Sequence, residues 1–494
     1  MLFEAFTSAA ASMPSTSGIR VAGRTFPYSE LAERAERLAS GLAALGVGSG
    51  DAVAILMRNS PELFVLVHAL LALGAVSVPL DTQANPAELL RSLDQLNVRA
   101  IVAAPELATV AGQLAIASGA PLPVVRSGGD GDLTFAALER SPVRSLPPVG
   151  ADAPAFYLFS SGSTGRPKVV PRTHGELLAD CRSSGPVLGF TAGDLMINLL
   201  PAHHAFGLSI TMVHAPLAGT SSLLWAPNKP LLLARDDLLQ AIATEGVTLL
   251  PGVPFLYDML LGATQPADLS RIRMAFSGAV ALRKPTFDGF HERFGIPIRQ
   301  ALGTTETSVV SFNHGDDPVA TWNSVGQLVG DNRVEIVPAE ESPDPEVGEL
   351  LITSPAVTKG YLNNPEANAA SFRNGAWVSG DLGRFDADGY LYITGRKKLM
   401  VDVAGLKVDP VEVEDVLLSH PAVSEAVVIG VPDLRTGEQR LKAVVVKKGE
   451  ATASALVEHA RGRLSAHKVP YLVEFRDTLP RSVTGKILRG KLVD

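Results

Sequence analysis

The stretch FYLFSSGSTGRPKVVPRTH, residues 156–174, decides the fold and the candidate site of this chain. Its first four residues are apolar and predict a short strand, and six consecutive small residues, 160–165, follow directly. Backbone N–H groups of small residues approach an anion closely, and hydroxyl groups donate to phosphate oxygens. The sequence therefore predicts a phosphate-binding loop that consists of Ser160, Ser161, Gly162, Ser163, Thr164, Gly165 and the positively charged Lys168.

This loop differs from the Walker type of phosphate-binding loop. Its lysine follows Pro167 rather than a glycine, and no Lys-Ser or Lys-Thr pair opens a helix after it. A flexible surface linker rich in serine and glycine is the alternative interpretation. Apolar, strand-like segments flank the loop on both sides, which is not typical of a linker, so we favour the phosphate-binding interpretation.

Length and composition limit the class of protein. The 494 residues are enough for about three domain-sized units with buried cores. A hydrophobic content of 46% with 19% charged residues is typical of a globular, soluble protein. The formal net charge of −8 argues against a nucleic-acid-binding surface. Cys181 is the single cysteine, which excludes intrachain disulfides and fits a reducing compartment.

Two segments bear on location. The amino terminus, MLFEAFTSAA, lacks the basic segment and apolar core of a signal peptide, which favours a cytoplasmic protein. Residues 63–80 are apolar except for His68 and Ser77, and they reach the lower length limit of a membrane span. Gly74 and Pro79 interrupt this stretch. We therefore predict a buried helix followed by a strand there, and no integral membrane segment.

Helices and strands alternate along the first half of the chain. A helical pattern followed by a strand pattern occurs at 26–57, 62–80, 86–103 and 236–250. This order is typical of parallel sheets with crossover helices, so we expect layered α/β structure. Residues 104–154 are rich in glycine, proline and serine, and we interpret them as a subdomain boundary.

Two more strands lead into turns of small or polar residues. These are RMAFSGAVAL at 273–282 and QALGTTETS at 300–308. Ligands collect at the carboxyl ends of parallel strands, so we expect these turns and the phosphate-binding loop to face one cleft. A lone glutamate is usually a solvated surface charge. Glu306, however, lies between threonines after a strand, where a carboxylate can bind Mg²⁺ that bridges phosphates.

A pair of histidines follows another apolar strand, in LLPAHHAFGL at 199–208. From the residues alone, His204 is as readily a core histidine with satisfied hydrogen bonds as a site residue. No cysteine, aspartate or glutamate lies nearby in the sequence to complete a metal site, so metal binding is the weaker interpretation.

The second half of the chain begins with strand patterns and ends with a separate strand-to-helix pattern. GELLITSPAVTKGY at 348–361 and WVSGDLGRFDADGYLYITGR at 377–396 alternate as strands do, with a tight DADG turn. We place Asp381, between Gly380 and Leu382, at the end of such a strand. A new strand-to-helix pattern starts at Val408, after Lys397 and Lys398. This change predicts a second compact domain at the carboxyl end of the chain.

Together these motifs resemble the signatures of the adenylate-forming superfamily, and among its members the AMP-forming acyl- and aryl-CoA synthetases. The resemblance extends over nearly the whole chain, with the motifs in the order of the family. The sequence departs from the family pattern at Val169, Leu302 and Asp402. A glycine, an aromatic ring that stacks on adenine and a basic residue are more usual at these positions.

The resemblance implies roles for residues in the first part of the chain. It implies that Thr305 contacts the α-phosphate of ATP, that Glu306 binds Mg²⁺, and that His204 lies at the mouth of the acyl pocket. The implied nucleotide-binding set outside the loop is completed by Ser277, Gly278, Ala279, Leu302, Gly303 and Thr304.

It also implies roles for residues further along. Asp381 would bind the ribose hydroxyls with Arg396 behind it, although an aspartate after a glycine is also a common turn residue. Lys398 would be a hinge, and Gly405 would line the channel for the thiol. Lys486, in a Thr-Gly-Lys setting, would be the adenylating lysine.

The fold implied by the resemblance is α/β. A large N-terminal domain, residues 1–395, of layered mixed and parallel sheets with helices would bind ATP and the acid. A small mobile α+β domain, residues 396–494, would carry Lys486, with the hinge near Lys398. The implied reaction uses ATP, Mg²⁺ and CoA to convert a carboxylic acid to an acyl-adenylate and then to acyl-CoA, with release of pyrophosphate and AMP.

The choice of acid follows from the residues after His204. Relatives that activate amino acids hold the ammonium group with an aspartate there, whereas this chain has Ala205 and Phe206. An ammonium group without a partner in an apolar pocket would be expensive to bury. We therefore expect a fatty or aryl acid, and candidate pocket residues are Phe206, Val253, Phe255 and Ala279.

Alternatives remain for the acceptor and for the activity. A carrier-protein phosphopantetheine is the runner-up to CoA as the acceptor, although this sequence contains no carrier-type Asp-Ser-Leu module. A luciferase-like oxygenase would use the same adenylation step. A nucleotide-binding pseudoenzyme is disfavoured because both Lys486 and Glu306 are present.

Overall fold

The structure is a computed structural model that describes the chain except residues 85, 120, 121, 161–166, 228, 230, 340–343, 404, 405, 433–438, 482–486 and 494. It also leaves out the side chains of residues 232, 398, 402, 406 and 407. The α-helices are α1 (Leu2–Ala10), α2 (Tyr28–Ala44), α3 (Pro61–Leu73), α4 (Pro86–Leu93), α5 (Ala108–Ala117), α6 (Phe135–Leu138), α7 (His174–Leu188), α8 (Ala205–Leu208), α9 (Ala215–Ala218), α10 (Arg235–Glu245), α11 (Pro254–Leu261), α12 (Lys284–Phe294), α13 (Pro365–Ser371), α14 (Pro410–Leu418) and α15 (Ala453–Arg461). A π-helix covers Ser209–His214, and 3₁₀ turns cover Pro105–Leu107, Leu231–Ala234, Lys397–Leu399, Ala466–Lys468 and Arg489–Leu492.

The strands are β1 (Gly18–Val21), β2 (Arg24–Pro27), β3 (Ala52–Leu56), β4 (Val76–Pro79), β5 (Val98–Ala103), β6 (Val124–Arg126), β7 (Pro154–Ser160), β8 (Lys168–Thr173), β9 (Leu195–Asn198), β10 (Ser221–Leu224), β11 (Leu249–Gly252), β12 (Met274–Ser277), β13 (Ile298–Thr304), β14 (Ser308–Phe312), β15 (Gln327–Leu328), β16 (Arg333–Pro338), β17 (Gly348–Thr353), β18 (Phe372–Arg373), β19 (Ala376–Phe385), β20 (Leu391–Arg396), β21 (Val401–Val403), β22 (Leu406–Val408), β23 (Val423–Pro432), β24 (Gln439–Lys447) and β25 (Leu472–Phe475).

The chain folds into two compact units. Unit 1 comprises Met1–Arg333 and Ile352–Trp377, and unit 2 comprises Val334–Leu351 and Val378–Asp494. Helices and strands alternate along unit 1. Unit 2 is smaller and combines strands with a few helices. The predicted α/β class, with a large N-terminal and a smaller C-terminal part, is therefore confirmed.

Unit 1 contains a nine-stranded sheet in the order β15-β14-β13-β12-β11-β9-β10-β1-β2. Its central strands, from β13 to β1, are parallel, and the strands at both margins run antiparallel. The parallel centre explains the helix-then-strand rhythm of the sequence, because parallel neighbours need crossover connections. The helix predicted from residue 26 begins instead at Tyr28, since residues 24–27 pair with β1 as strand β2.

A second sheet of unit 1 has six strands in the order β6-β5-β3-β4-β7-β8. Its strands are parallel except for β8, which pairs antiparallel with β7. The interpretation of 104–154 as a subdomain boundary is wrong for most of that range. Val124 and Val125 pair with β5, and Leu114 and Leu138 are buried, so this segment belongs to the sheet and its helical cover.

The apolar stretch 63–80 is helix α3 and strand β4, as predicted. Every residue of α3 except Glu62 is buried, in a core that also contains Ile19 of the nine-stranded sheet and Val53 of the six-stranded sheet. A helix that is apolar on all sides is therefore accommodated in a layer that both sheets cover. Among the described residues, the helices are all too short or too polar to cross a bilayer.

Unit 2 is built from small sheets. Strands β16, β17, β19 and β20 belong to one of them, β21 and β22 form a hairpin, and β23-β24-β25 form a third sheet. The core of the third sheet buries Val413 and Leu417 of α14, Val428 and Leu456. This confirms the α+β pattern predicted after Val408, because the apolar face of α14 packs on alternate residues of β23.

Candidate active site

Two of the predicted turns lie side by side in unit 1. Strands β12 and β13 are parallel neighbours, with Ser277 opposite Gln300, so the turns at 277–279 and 303–307 leave the same edge of the nine-stranded sheet. The phosphate-binding loop instead follows β7 of the six-stranded sheet. The turns and the loop therefore follow strands of two different sheets, and these sheets meet through side chains.

Lys168, Tyr361 and Glu306 form that meeting point. Lys168 begins β8 opposite Ser160, the last residue of β7, so both residues mark the base of the loop. The Lys168 Nζ lies 4.3 Å from the centre of the Tyr361 ring, which is a cation–π contact. The Tyr361 hydroxyl donates to Oε1 of Glu306 at 3.1 Å. Residues 161–165 of the predicted loop lie outside the described residues.

Glu306 lies in a turn whose conformation is stabilised by the hydroxyl groups of neighbouring threonines. The Glu306 amide donates to Oγ1 of Thr304 at 3.2 Å, and that hydroxyl lies 3.0 Å from the Thr307 hydroxyl. Gly303 allows the turn to close, because a Cβ there would lie 2.8 Å from the Ser308 carbonyl oxygen. Ser308 itself has a positive φ of 59°, which is uncommon for a residue other than glycine. Glu306 is buried, which excludes the alternative interpretation of a solvated surface charge.

The turn after β12 has two features of a ligand site. Ala279 has a positive φ of 66°, and strained backbone of this kind clusters at binding sites. The Ser277 hydroxyl is buried without a hydrogen-bond partner among the described residues. Gly278 faces Phe206, since a Cβ on Gly278 would lie 3.5 Å from that ring. Leu302 lies in β13, one residue before Gly303.

His204 lies directly before α8 and is half-buried. Its ring centre is 4.3 Å from that of His203, and its Nε2 is buried without a partner among the described residues. Burial, and then the neighbouring His203, lower the pKa of His204 to about 4. The imidazole is therefore neutral at physiological pH. It lacks the complete set of hydrogen bonds that a core histidine would have.

The candidate pocket residues differ in burial. Phe206 and Phe255 pack, half-buried, on the core that contains Val253, and the Phe206 ring is 6.1 Å from that of Phe276. Ala279 is exposed. The structure therefore brings Phe206, Val253 and Phe255 of the predicted pocket together in one core.

Asp381 and Arg396 form an ion pair in unit 2. They are cross-strand partners on β19 and β20, and the Arg396 Nε donates to Oδ1 of Asp381 at 2.5 Å. Asp381 is buried, whereas the Arg396 side chain is half-exposed. Asp381 lies within β19 and not at the end of a strand as predicted. Gly380 takes a positive φ of 71° without ending the strand.

Three predicted residues cannot be placed, or can be placed only in part. Gly405 and Lys486 lie outside the described residues. The backbone of Lys398 lies in the 3₁₀ turn Lys397–Leu399 after β20, and its side chain is not described. The adjacent Lys397 pairs with Glu349 at 3.3 Å within unit 2.

The sequence did not predict the residues that contact the Glu306 turn from distant positions in the chain. Tyr361 was part of a strand-like stretch with no local signal of a role. Arg172 lies within the decisive stretch itself, but its partners are Thr305 and Ala356, far along the chain. Hydropathy patterns report local structure and burial, so they carry no signal for such long-range contacts.

Comparison with known proteins identifies the family. A family model described as AMP-binding enzyme matches residues 6–362, and one described as AMP-binding enzyme C-terminal domain matches residues 412–486. The fold and the matched motifs define an adenylate-forming enzyme, and the chain belongs to the AMP-binding enzyme family. Within it, the chain is an acid–thiol ligase of the AMP-forming acyl-CoA synthetase type.

Two curated relatives are similar over nearly their whole length. A feruloyl-CoA synthase from an Amycolatopsis species is 34% identical over 97% of this chain and 96% of its own length. A sulfoacetate–CoA ligase from Cupriavidus necator is 30% identical over 96% of this chain and 93% of its own length.

Two solved structures share the fold. ATP-bound MatB from Rhodopseudomonas palustris has a TM-score of 0.90 at 29% identity, covering 100% of this chain and 98% of that one. The O-succinylbenzoate CoA synthetase MenE from Bacillus subtilis, in complex with ATP and a magnesium ion, has a TM-score of 0.85 at 28% identity, covering 99% of both chains.

Proposed function

We propose that this enzyme uses ATP to activate a hydrophobic carboxylic acid, preferably an aryl acid, and then transfers the acyl group to CoA. The observation that carries the proposal is the buried Glu306 carboxylate, bonded to the Tyr361 hydroxyl, while Lys168, at the base of the predicted phosphate-binding loop, lies over the ring of the same tyrosine. A buried carboxylate linked in this way to the base of a phosphate-binding loop suits a site where metal-bound phosphates bind.

The residues around Glu306 fit a magnesium–nucleotide complex. Among the described residues, histidine, cysteine, aspartate and glutamate form no cluster of three that would hold a metal by protein ligands alone. Glu306 would therefore bind Mg²⁺ together with phosphate oxygens and water, which is the usual arrangement for this ion. When bound, Mg²⁺ supplies positive charge that neutralises the phosphates. The Ser277 hydroxyl, which has no hydrogen-bond partner in the part of the chain that the structure describes, is available to a nucleotide.

The first step joins the acid to AMP. A carboxylate oxygen attacks the α-phosphorus, the bond from that phosphorus to the bridging oxygen breaks, and pyrophosphate leaves. Thr305 donates to the α-phosphate, while Lys168 and the loop hold the departing phosphates. These residues act by positioning the reactants and by neutralising charge, which suits a reaction that needs little covalent help from the protein.

His204 and Phe206 bind the acid. A neutral imidazole can donate a hydrogen bond to the carboxylate of the substrate without holding it as tightly as a cation would. Gly278 faces the Phe206 ring without a side chain of its own. The aromatic face of Phe206 suits an apolar or aryl group of the acid. The feruloyl-CoA synthase relative, whose name specifies an aromatic acid, favours an aryl over a fatty acid.

The C-terminal part of the chain completes both steps. Lys486 stabilises the negative charge that builds on the carboxylate and α-phosphate, and Gly405 leaves a path for the thiol of CoA. The functional boundary lies between residues 395 and 396, with Lys398 as the hinge. Asp381, on the N-terminal side of this boundary, binds the ribose. We also propose that the enzyme is cytoplasmic, since its single cysteine, Cys181, fits a reducing compartment.

The test is acid-dependent release of AMP from ATP, measured over a panel of aryl, fatty and amino acids with and without CoA. We expect AMP and acyl-CoA to form with an aryl acid, and deaminated analogues to be used where the matching α-amino acids are not. A preference for a free α-amino acid would overturn the proposed substrate class. AMP formation that needs a carrier protein instead of CoA would overturn the proposed acceptor.

A further inference from the structure

Arg172 is a buried arginine that the reaction described above does not use. Only 1% of its surface is exposed, and it is the largest side chain among the fully buried described residues. Its Nη1 donates to the Thr305 carbonyl oxygen at 2.8 Å, and its Nη2 donates to that of Ala356 at 2.6 Å. Its Nε donates to the Glu176 carboxylate at 3.2 Å. A buried guanidinium is therefore aimed at the backbone of the Glu306 turn.

Glu176 balances this charge and connects it to α7. Its carboxylate also accepts from the Thr173 amide at 3.1 Å, and the Thr173 hydroxyl accepts from the Glu176 amide at 3.2 Å. This reciprocal pair is a capping box, so the start of α7 is rigid. Arg172 is consequently held by a fixed helix end while it reaches two separate loop carbonyls. A lysine could not span these acceptors, because its single ammonium group lacks the planar fork.

The other end of the same turn is held from α7 as well. The Val309 amide, directly after Ser308, donates to Oδ1 of the buried Asp180 at 3.3 Å. Oδ2 of Asp180 lies 3.6 Å from Nε2 of His214, in the π-helix that continues α8. Residues 305–309 are thus held at their first carbonyl by Arg172 and at their last amide by Asp180.

We propose that Arg172 and Asp180 are positioning residues that set the place of the Glu306 carboxylate for the magnesium–nucleotide complex. Neither residue would touch the ligand. Arg172 fixes the Thr305 carbonyl, directly before Glu306, and Asp180 fixes the Val309 amide at the other end of the turn. The Tyr361 hydroxyl then orients the Glu306 carboxylate itself. The inference rests on the proposed role of Glu306 as the Mg²⁺ ligand.

The test measures ATP binding by calorimetry, once with excess Mg²⁺ and once with EDTA, in the absence of any acid substrate. The ratio of the ATP dissociation constant in EDTA to that in Mg²⁺ is the metal-dependent factor. In the wild type we expect tighter binding with Mg²⁺. Arg172→Met should reduce that factor by ~10–100-fold, as losses of groups that orient metal ligands do. Binding of ATP in EDTA should change little.

Asp194→Ala is the matched control. Asp194 is also buried and holds Arg273, Thr248 and Thr191, but it precedes β9, at the edge of the sheet opposite the turns. This variant should lose thermal stability and keep the metal-dependent factor. Arg172→Lys and Asp180→Asn supply milder changes should Arg172→Met fail to fold, and each should lower the factor.

The outcomes separate the inference from the proposed function. Folded Arg172 and Asp180 variants that keep the wild-type factor overturn the inference. A wild type without any metal-dependent factor also overturns it, because Glu306 would then not bind Mg²⁺. The AMP-release assay reports on the proposed function in either case, since it does not depend on which residue binds the metal.

Discussion

The Tyr361 hydroxyl donates to Oε1 of Glu306 at 3.1 Å, across 55 residues of sequence. Burial, and then the charge of Glu306, raise the pKa of Tyr361 to about 12. The hydroxyl therefore stays protonated and remains a donor at neutral pH. With Lys168 on the face of the same ring, this contact joins the carboxylate turn of one sheet to the phosphate-binding loop of the other.

Removal of this hydroxyl should weaken the response to magnesium. We expect Tyr361→Phe to raise the Mg²⁺ concentration for half-maximal pyrophosphate exchange by ~10–100-fold, because the carboxylate loses the donor that orients it. The matched control is Tyr28→Phe, which removes an equally buried hydrogen bond to the Thr220 carbonyl oxygen. Equal magnesium requirements in the two variants would refute the role given to Tyr361.

The strands that lead into the site could be predicted from the sequence. Strands β7 and β12 are short apolar runs that end in small or hydroxyl residues, and β13 ends in the same kind of residues. These signals are local in the sequence. Their distribution over two sheets could not be predicted in this way. A crossover connection can lead to either sheet, and hydropathy does not specify the choice.

Side-chain roles were harder to predict for the same reason. Arg172 meets the Ala356 carbonyl oxygen across 184 residues, which no local pattern records. Asp381 was misplaced at a strand end because it follows a glycine, and glycine before aspartate is typical of turns. In the structure Gly380 is a left-handed residue within β19, where glycine can distort a strand without ending it.

Loss of the Asp381 carboxylate should affect one substrate only. We expect Asp381→Ala to raise the KM for ATP with little change in the KM for the acid, because the carboxylate is assigned to the ribose hydroxyls. Asp386→Ala is the control in the same hairpin, since Asp386 accepts the turn amides of Asp388 and Tyr390 and is assigned no role in binding. A similar change in both KM values of Asp381→Ala would count against the ribose assignment.

Acid should destabilise the protein partly through His68. Burial lowers the pKa of His68 to about 4 from 6.5, although the Phe64 carbonyl oxygen, 2.9 Å from Nδ1, opposes the shift. Between these two pKa values, His68 is therefore protonated in the unfolded chain and neutral in the native state. The contribution of neutral His68 to the free energy of unfolding is complete above pH 6.5 and is lost as the pH falls towards 4.

Replacement of His68 by phenylalanine should flatten that decline. The rings of Phe6 and Phe64 already flank the site at 4.4 and 4.0 Å, so an aromatic ring is accommodated. We expect the loss of unfolding free energy between neutral and acid pH to shrink in His68→Phe by up to about 3 kcal/mol. Urea denaturation at both pH values measures it, and an unchanged pH slope would show that His68 does not titrate in this way.

The two half-reactions should respond to different residues of the C-terminal part. We expect Lys486→Ala to slow adenylation by roughly 10²–10³, about 3–4 kcal/mol, as when one preorganised electrostatic donor is lost. Thioester formation from supplied acyl-AMP should survive in this variant. Gly405→Leu should spare adenylation and stop transfer to CoA, because a side chain there would narrow the path of the thiol.

Lys398→Pro should behave like the Gly405 variant, since a fixed φ at the hinge hinders the change between the two states. All three variants are assayed in both half-reactions. Equal damage to both halves in Lys486→Ala, or adenylation that fails first in Gly405→Leu, would contradict the proposed division of labour.

The central claim is that the acid oxygen attacks the α-phosphorus of ATP, and isotope transfer tests it most directly. The accepted acid is labelled with heavy oxygen in its carboxylate, and the products of complete turnover with CoA are analysed by mass spectrometry. We predict one labelled oxygen in AMP, the other in the acyl-CoA carbonyl, and none in pyrophosphate. Labelled inorganic phosphate with ADP, or unlabelled AMP, would contradict the account.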